Sequence, residues 1–192
     1  MPNYVKNEVT VDSRFEEIAE FVKSEISESG FDFKKIIPMP KDLEDTQSPA
    51  LILEGEEYLK ALKDFENKKQ FASKPITKEM SEMYVKNYGF NNWYDWSIEN
   101  WGTKWNASEP IIENEVIEFQ TAWATPEPIM LALSRKFPDV TFSVKYADED
   151  IGSNCGWYEV KNGEITARDY EDRVFAMNLW GYSEEDMKEF EE

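Results

Sequence analysis

Tyr4-Val5-Lys6-Asn7-Glu8-Val9-Thr10-Val11, followed by Asp12-Ser13 and then by Phe15, Ile18, Ala19, Val22 and Ile26, decides the fold class. The first eight residues set Val5, Asn7, Val9 and Val11 on one side and Tyr4, Lys6, Glu8 and Thr10 on the other, the two-residue period of a half-buried strand. Asp12-Ser13 breaks that period, and Ser13 with Glu16 has the spacing of a capping box. The apolar residues beyond it recur at helical spacing, which predicts an amphipathic helix over about residues 13–28, ended by Gly30. Phe31, Phe33 and Ile36-Ile37 then predict a second strand, closed by Pro38 and Pro40, which cannot extend a central ladder. Strand, helix and strand in this order form half of a split β-α-β sandwich.

A second half follows downstream. Ile117, Phe119, Thr121 and Trp123 alternate, and Thr125-Pro126 predicts a helix start with a hydroxyl cap and a proline whose missing N–H costs nothing. Ile129, Ala132 and Leu133 continue its buried stripe, and Pro138 ends it. Val140, Phe142, Val144 and Tyr146 form the cleanest alternation in the chain. Lys161-Asn162-Gly163 separates two short alternating runs, and Asn-Gly is the strongest short hairpin signal. A helix over about Tyr170–Trp180 and a short acidic one after Ser183 complete the pattern. Between the halves, Tyr58, Leu59, Leu62 and Phe65, then Met80, Met83 and Tyr84, then Trp93, Trp96 and Ile98 have helical spacing. The expectation is a single α+β domain with a ferredoxin-like antiparallel sheet and helices on one face. Residues 1–40 and 113–167 supply the sheet core, with strands near 4–11, 31–37, 115–123 and 140–146. Residues 41–112 are a helical insertion, and the C-terminal hairpin leads to an acidic helical extension, 168–192.

Composition excludes more functions than it assigns. The 192 residues hold 40 Asp+Glu against 21 Lys+Arg, no His and one Cys, for a net charge of −19. Such a chain buries roughly 70% of its unfolded surface and can build a core. Lack of His removes the usual acid–base residue, the His-dependent triads and the His metal ligands. One Cys removes intrachain disulfides and Cys-cluster zinc sites. No stretch approaches the ~18 apolar residues of a membrane span, and Met1-Pro2-Asn3 does not open a signal peptide. The chain is expected in the cytoplasm, away from membranes.

Asn91-Asn92-Trp93-Tyr94-Asp95-Trp96 and Glu99-Asn100-Trp101-Gly102-Thr103-Lys104-Trp105-Asn106 resemble the signature block of YubB-like proteins, which carry a ferredoxin-like domain and occur in bacteriophages and plasmids. Phe31-Asp32-Phe33 with Ile36–Pro40, Thr121-Ala122-Trp123, Phe137–Val140 and Tyr146–Asp150 extend the resemblance over most of residues 1–167. The segment from about Arg168 lies outside it. The resemblance implies the fold and a mobile-element origin, and it brings no family-wide reaction.

Four of the seven Trp lie between residues 93 and 105. Stacked rings can bind a sugar, a base or a peptide anchor, but aromatic rings are chiefly core payload, and the block reads as a structural knot, with Lys104 across an indole face. Asp148, Asp150 and Glu159 occupy positions 1, 3 and 12 of a calcium-loop template, yet Gly152 and Ser153 break it at positions 5 and 6. Cys155 has no His to activate it and many carboxylates around it in sequence. Four Arg and a charge of −19 argue against direct binding of phosphates. No catalytic residue, cofactor or metal is therefore assigned.

Residues 139–192 contain 15 acids and five Lys/Arg, ten of the nineteen net negative charges. Solubility alone would explain this excess. With the mobile-element resemblance, the reading becomes a non-enzymatic inhibitor of a host nucleic-acid-handling or defence protein, such as a CRISPR effector or nuclease, acting by charge mimicry on a basic surface. The expected contact residues are Asp169, Glu171, Asp172, Glu184, Glu185 and Asp186, with Trp180 and Tyr182 as anchors. The alternatives are a general interaction module without an inhibitory role and a cryptic carboxylate-based hydrolase.

Overall fold

The computed structural model describes residues 2–24, 30–183 and 185–186. The chain divides into two compact units, Met1–Ile37 with Trp101–Glu192, and Pro38–Asn100. In the first unit, β1 (Tyr4–Val11), α1 (Phe15–Val22), β2 (Ser108–Glu113), β3 (Val116–Ala122), the later helix Glu127–Lys136 and β4 (Thr141–Asp148) follow one another. Then come β5 (Cys155–Lys161), β6 (Glu164–Tyr170) and a last helix, Arg173–Trp180. The sheet order is β2-β3-β1-β4-β5-β6, with every pairing antiparallel. Its β2-β3-β1-β4 part, with one helix in each β-α-β half, is the ferredoxin-like arrangement, extended by the β5–β6 hairpin.

Strand alternation assigns the faces. Val5 and Val9 lie opposite Thr121 and Ile117 on one side and Asp148 and Val144 on the other, and Val144 lies opposite Tyr158. These buried side chains share a face with Phe119 and Phe142. Ile18 and Val22 of α1, with Ile129, Met130 and Leu133 of the helix Glu127–Lys136, are fully buried and supply the covering layer. The Thr125 and Tyr158 hydroxyls meet at 3.0 Å, which fixes the start of the second helix on this face. The opposite face carries a charged ladder: Glu8 sits directly across from Glu118, and Lys145 (2.8 Å to Glu8) and Lys6 (3.0 Å to Glu118) offset that like-charge pair. Its Ala147–Cys155 end is covered by Phe175, Ala176, Leu179 and Trp180 of the last helix.

Four local expectations are corrected. Residues 31–37 do not form a strand: Phe31 makes a single bridge to Lys23, and Phe33–Lys35 is a 3-10 turn. The Phe33 N–H goes to Asn106 Oδ1 and the Lys34 N–H to Asp32 Oδ1, so side chains take donors that a ladder would need. The second strand is instead β2, so the helical insertion does not run to residue 112. Ser13 bonds Asp12 rather than capping α1, whose first cap position is Arg14 at φ 59. The expected helix over 13–28 stops short at Val22, because Lys23 turns extended (φ −57, ψ 137) and bridges Phe31; Ile26 lies outside the described residues. Thr125 spends its hydroxyl on Tyr158 and leaves the helix Glu127–Lys136 without a side-chain cap.

The second unit is helical. It holds α2 (Gly55–Glu66), α3 (Lys78–Tyr88) and most of α4 (Trp93–Trp101), so the helix Glu127–Lys136 is α5 and Arg173–Trp180 is α6. Thr77 caps α3 by accepting the Met80 N–H, and Gly89 ends it at φ 82. Leu43, Ile76, Tyr84 and Trp96 are its buried apolar residues, whereas α2 buries none of its own.

Candidate functional site

The acidic residues expected to form one patch fall at the two ends of α6. Asp169 is the penultimate residue of β6, Glu171 and Asp172 follow the strand, and all three side chains are exposed. Asp172 also caps α6, accepting the Phe175 N–H at 3.0 Å. Glu171 is fixed through its backbone, which donates to the Cys155 carbonyl and accepts from Cys155 Sγ, both at 3.1 Å. Burial, then the Asp172 and Glu171 carboxylates, push the Cys155 thiol up. Eight residues later, about 12 Å along the helix axis, Trp180 donates its indole N–H to the Ala147 and Asp148 carbonyls at 3.1 Å each. Its ring lies parallel to Tyr182, with centroids 6.2 Å apart. Trp180 thus pins α6 to the sheet, and its indole N–H is already satisfied. Asp186 accepts from both Ser183 Oγ and N, which holds its carboxyl below the usual carboxylate range. Glu185 is exposed, and Glu184 lies outside the described residues.

The calcium-template residues do not converge. Asp148 accepts from Asp150 N–H and Asn3 Nδ2, while Glu159 lies within β5 and accepts from Ser143. Among the described residues, no group of three or more acids or Cys is placed to hold a metal ion.

The Trp block has a divided character. Trp101 is buried, its indole N–H donated to the Ile37 carbonyl at 2.9 Å. Gly102 follows at φ 77, where a Cβ would come within 2.7 Å of Pro128 Cδ. Thr103 donates to the Ala122 carbonyl at 2.8 Å, and the Asn106 amide bonds both Asp32 and Phe33. Between these fixed points Trp105 is 39% exposed and Lys104 is half-buried, its ammonium 4.4 Å from the Trp105 ring centroid. The same ammonium is 5.3 Å from the ring of Trp123, which is 42% exposed. Trp123 has left β3 at φ 70, a region bulky residues rarely adopt. Its N–H donates to the Asn3 carbonyl, and its own carbonyl accepts from Asn154. That Lys104 reaches both Trp105 and Trp123 was not legible in the sequence, because nothing local marks the turn that carries Trp123 out of its strand.

Residues 100–192 match the family model described as the ferredoxin-like domain in Api92-like protein. That span holds β2 to β6, α5 and α6, together with the acidic end that the YubB-like blocks do not reach. Protein api92 from Yersinia pseudotuberculosis, known from a crystal structure, is similar at 11% identity and a TM-score of 0.49, over 89% of this chain and 98% of that one. No curated protein matches.

Proposed function

We propose that this chain is a non-enzymatic protein of the phage and plasmid YubB-like kind, which inhibits a host nucleic-acid-handling or defence protein in the cytoplasm. Its acidic surface takes the place of nucleic-acid phosphates on a basic groove. The observation that carries this reading is the excess of 15 acids over five Lys/Arg in residues 139–192, with Asp169, Glu171, Asp172, Glu185 and Asp186 all exposed. Charges of one sign on neighbouring elements raise the association rate with an oppositely charged partner, and they do so without a catalytic constellation.

The test is co-purification of the tagged full chain from host cells. Retention of a basic nuclease, or of a guide–effector complex whose activity falls when the chain is added, is the expected result. Retention of a capsid or other structural protein, with host nucleases unaffected, would replace inhibition by a general interaction role.

A further inference from the structure

Two exposed indoles, Trp105 and Trp123, both lie within reach of the Lys104 ammonium. Trp101, Thr103 and Asn106 are each tied to the core by a hydrogen bond, so the loop presenting Lys104 and Trp105 is preorganised. Opposite stands Trp123, held at φ 70 by bonds to both its backbone groups. Backbone strain at an exposed aromatic residue points to a use for the ring beyond packing, because burial alone would favour continuing β3 inward. Charge indicates the occupant. A surface of net −19 draws cationic partners, and the Lys104 ammonium, within 4.4 and 5.3 Å of the two centroids, already shows that a cation fits there.

We propose that Trp105 and Trp123 form the anchor site for an arginine side chain of a basic protein partner, and that Lys104 occupies this site in the free protein. The proposal rests on the acidic-surface reading above and names its hot spot. A guanidinium is planar and less strongly hydrated than an ammonium, so it stacks on an indole face better than the lysine it displaces. Trp and Arg are also the residue types enriched where interface energy concentrates. Lys104 then acts as an internal competitor, and its removal strengthens binding.

An acetylated, amidated hexa-arginine peptide, titrated at low salt with the tryptophan indole N–H signals followed by NMR, tests this. The wild-type signals of Trp105 and Trp123 should shift on binding. Lys104→Ala should tighten binding several-fold, beyond the change caused by Lys86→Ala, an exposed lysine elsewhere that removes the same charge. Trp105→Ala and Trp123→Gly should weaken binding several-fold; glycine keeps the φ of position 123 accessible, so this variant folds. Salt-sensitive binding that ignores the two Trp variants would overturn the anchor and leave the acidic-surface reading standing. Weaker binding by Lys104→Ala would mean that Lys104 supports the site and does not compete for it, and would also overturn the proposal. No binding of the peptide by the wild type would overturn both readings.

Discussion

Trp101 and Trp105 stand four residues apart and put their rings to opposite uses. Trp101 is 3% exposed, meets Phe33 edge-on at 6.0 Å and satisfies its indole N–H on the Ile37 carbonyl. Trp101→Ala should therefore cost about 3–5 kcal/mol in denaturant unfolding, the loss expected for a buried large side chain. A midpoint unchanged by that substitution would contradict a structural role. Composition and spacing could mark the block as core payload, since Trp rings are large and apolar. They could not say which ring stays outside. That choice depends on Asn106 bonding Phe33, seventy-three residues away, and on Trp123 turning out of β3, and neither contact leaves a local signature.

Of the two tight hairpins, one was legible and one was not. Asn162-Gly163 adopts positive φ at both positions, 48 and 80, as an Asn-Gly turn should. Asn114-Glu115 does the same at 50 and 62 between β2 and β3, but with glutamate where glycine is the expected residue. Pro110 and a register shift between Ser108 and Ile111 further disguise β2, which is tolerable because β2 is an edge strand. Phe31 and Phe33, alternating and apolar, offered a better strand pattern; their rings instead pack on each other and on Phe119 inside the core. A left-handed conformation costs a non-glycine residue roughly 1–2 kcal/mol. Glu115→Gly should thus raise stability by about 1 kcal/mol and move the thermal midpoint upward, part of the gain being lost to the freer unfolded chain. A lower midpoint would mean that Glu115 has a compensating contact in this turn.

At the scale of the whole molecule, charge was fully legible and its use was only half so. The sequence alone gives −19 and the excess toward the C-terminus. It does not separate acids engaged in holding the fold from acids left to solvent. Asp172 caps α6 and Asp186 is bonded to Ser183, so reversing either would disturb structure as well as surface charge. Asp169, Glu171 and Glu185 are exposed, and reversing them gives up a local bond at the end of β6, from the Tyr170 N–H to Asp169 Oδ1 at 2.9 Å. The direct measurement is the association rate of the retained partner with wild type and with the Asp169→Lys, Glu171→Lys, Glu185→Lys triple variant, across a salt series. Charge mimicry by this surface predicts several-fold slower association of the variant at low salt, converging with wild type as salt screens the surface. Equal rates at every salt concentration would contradict it.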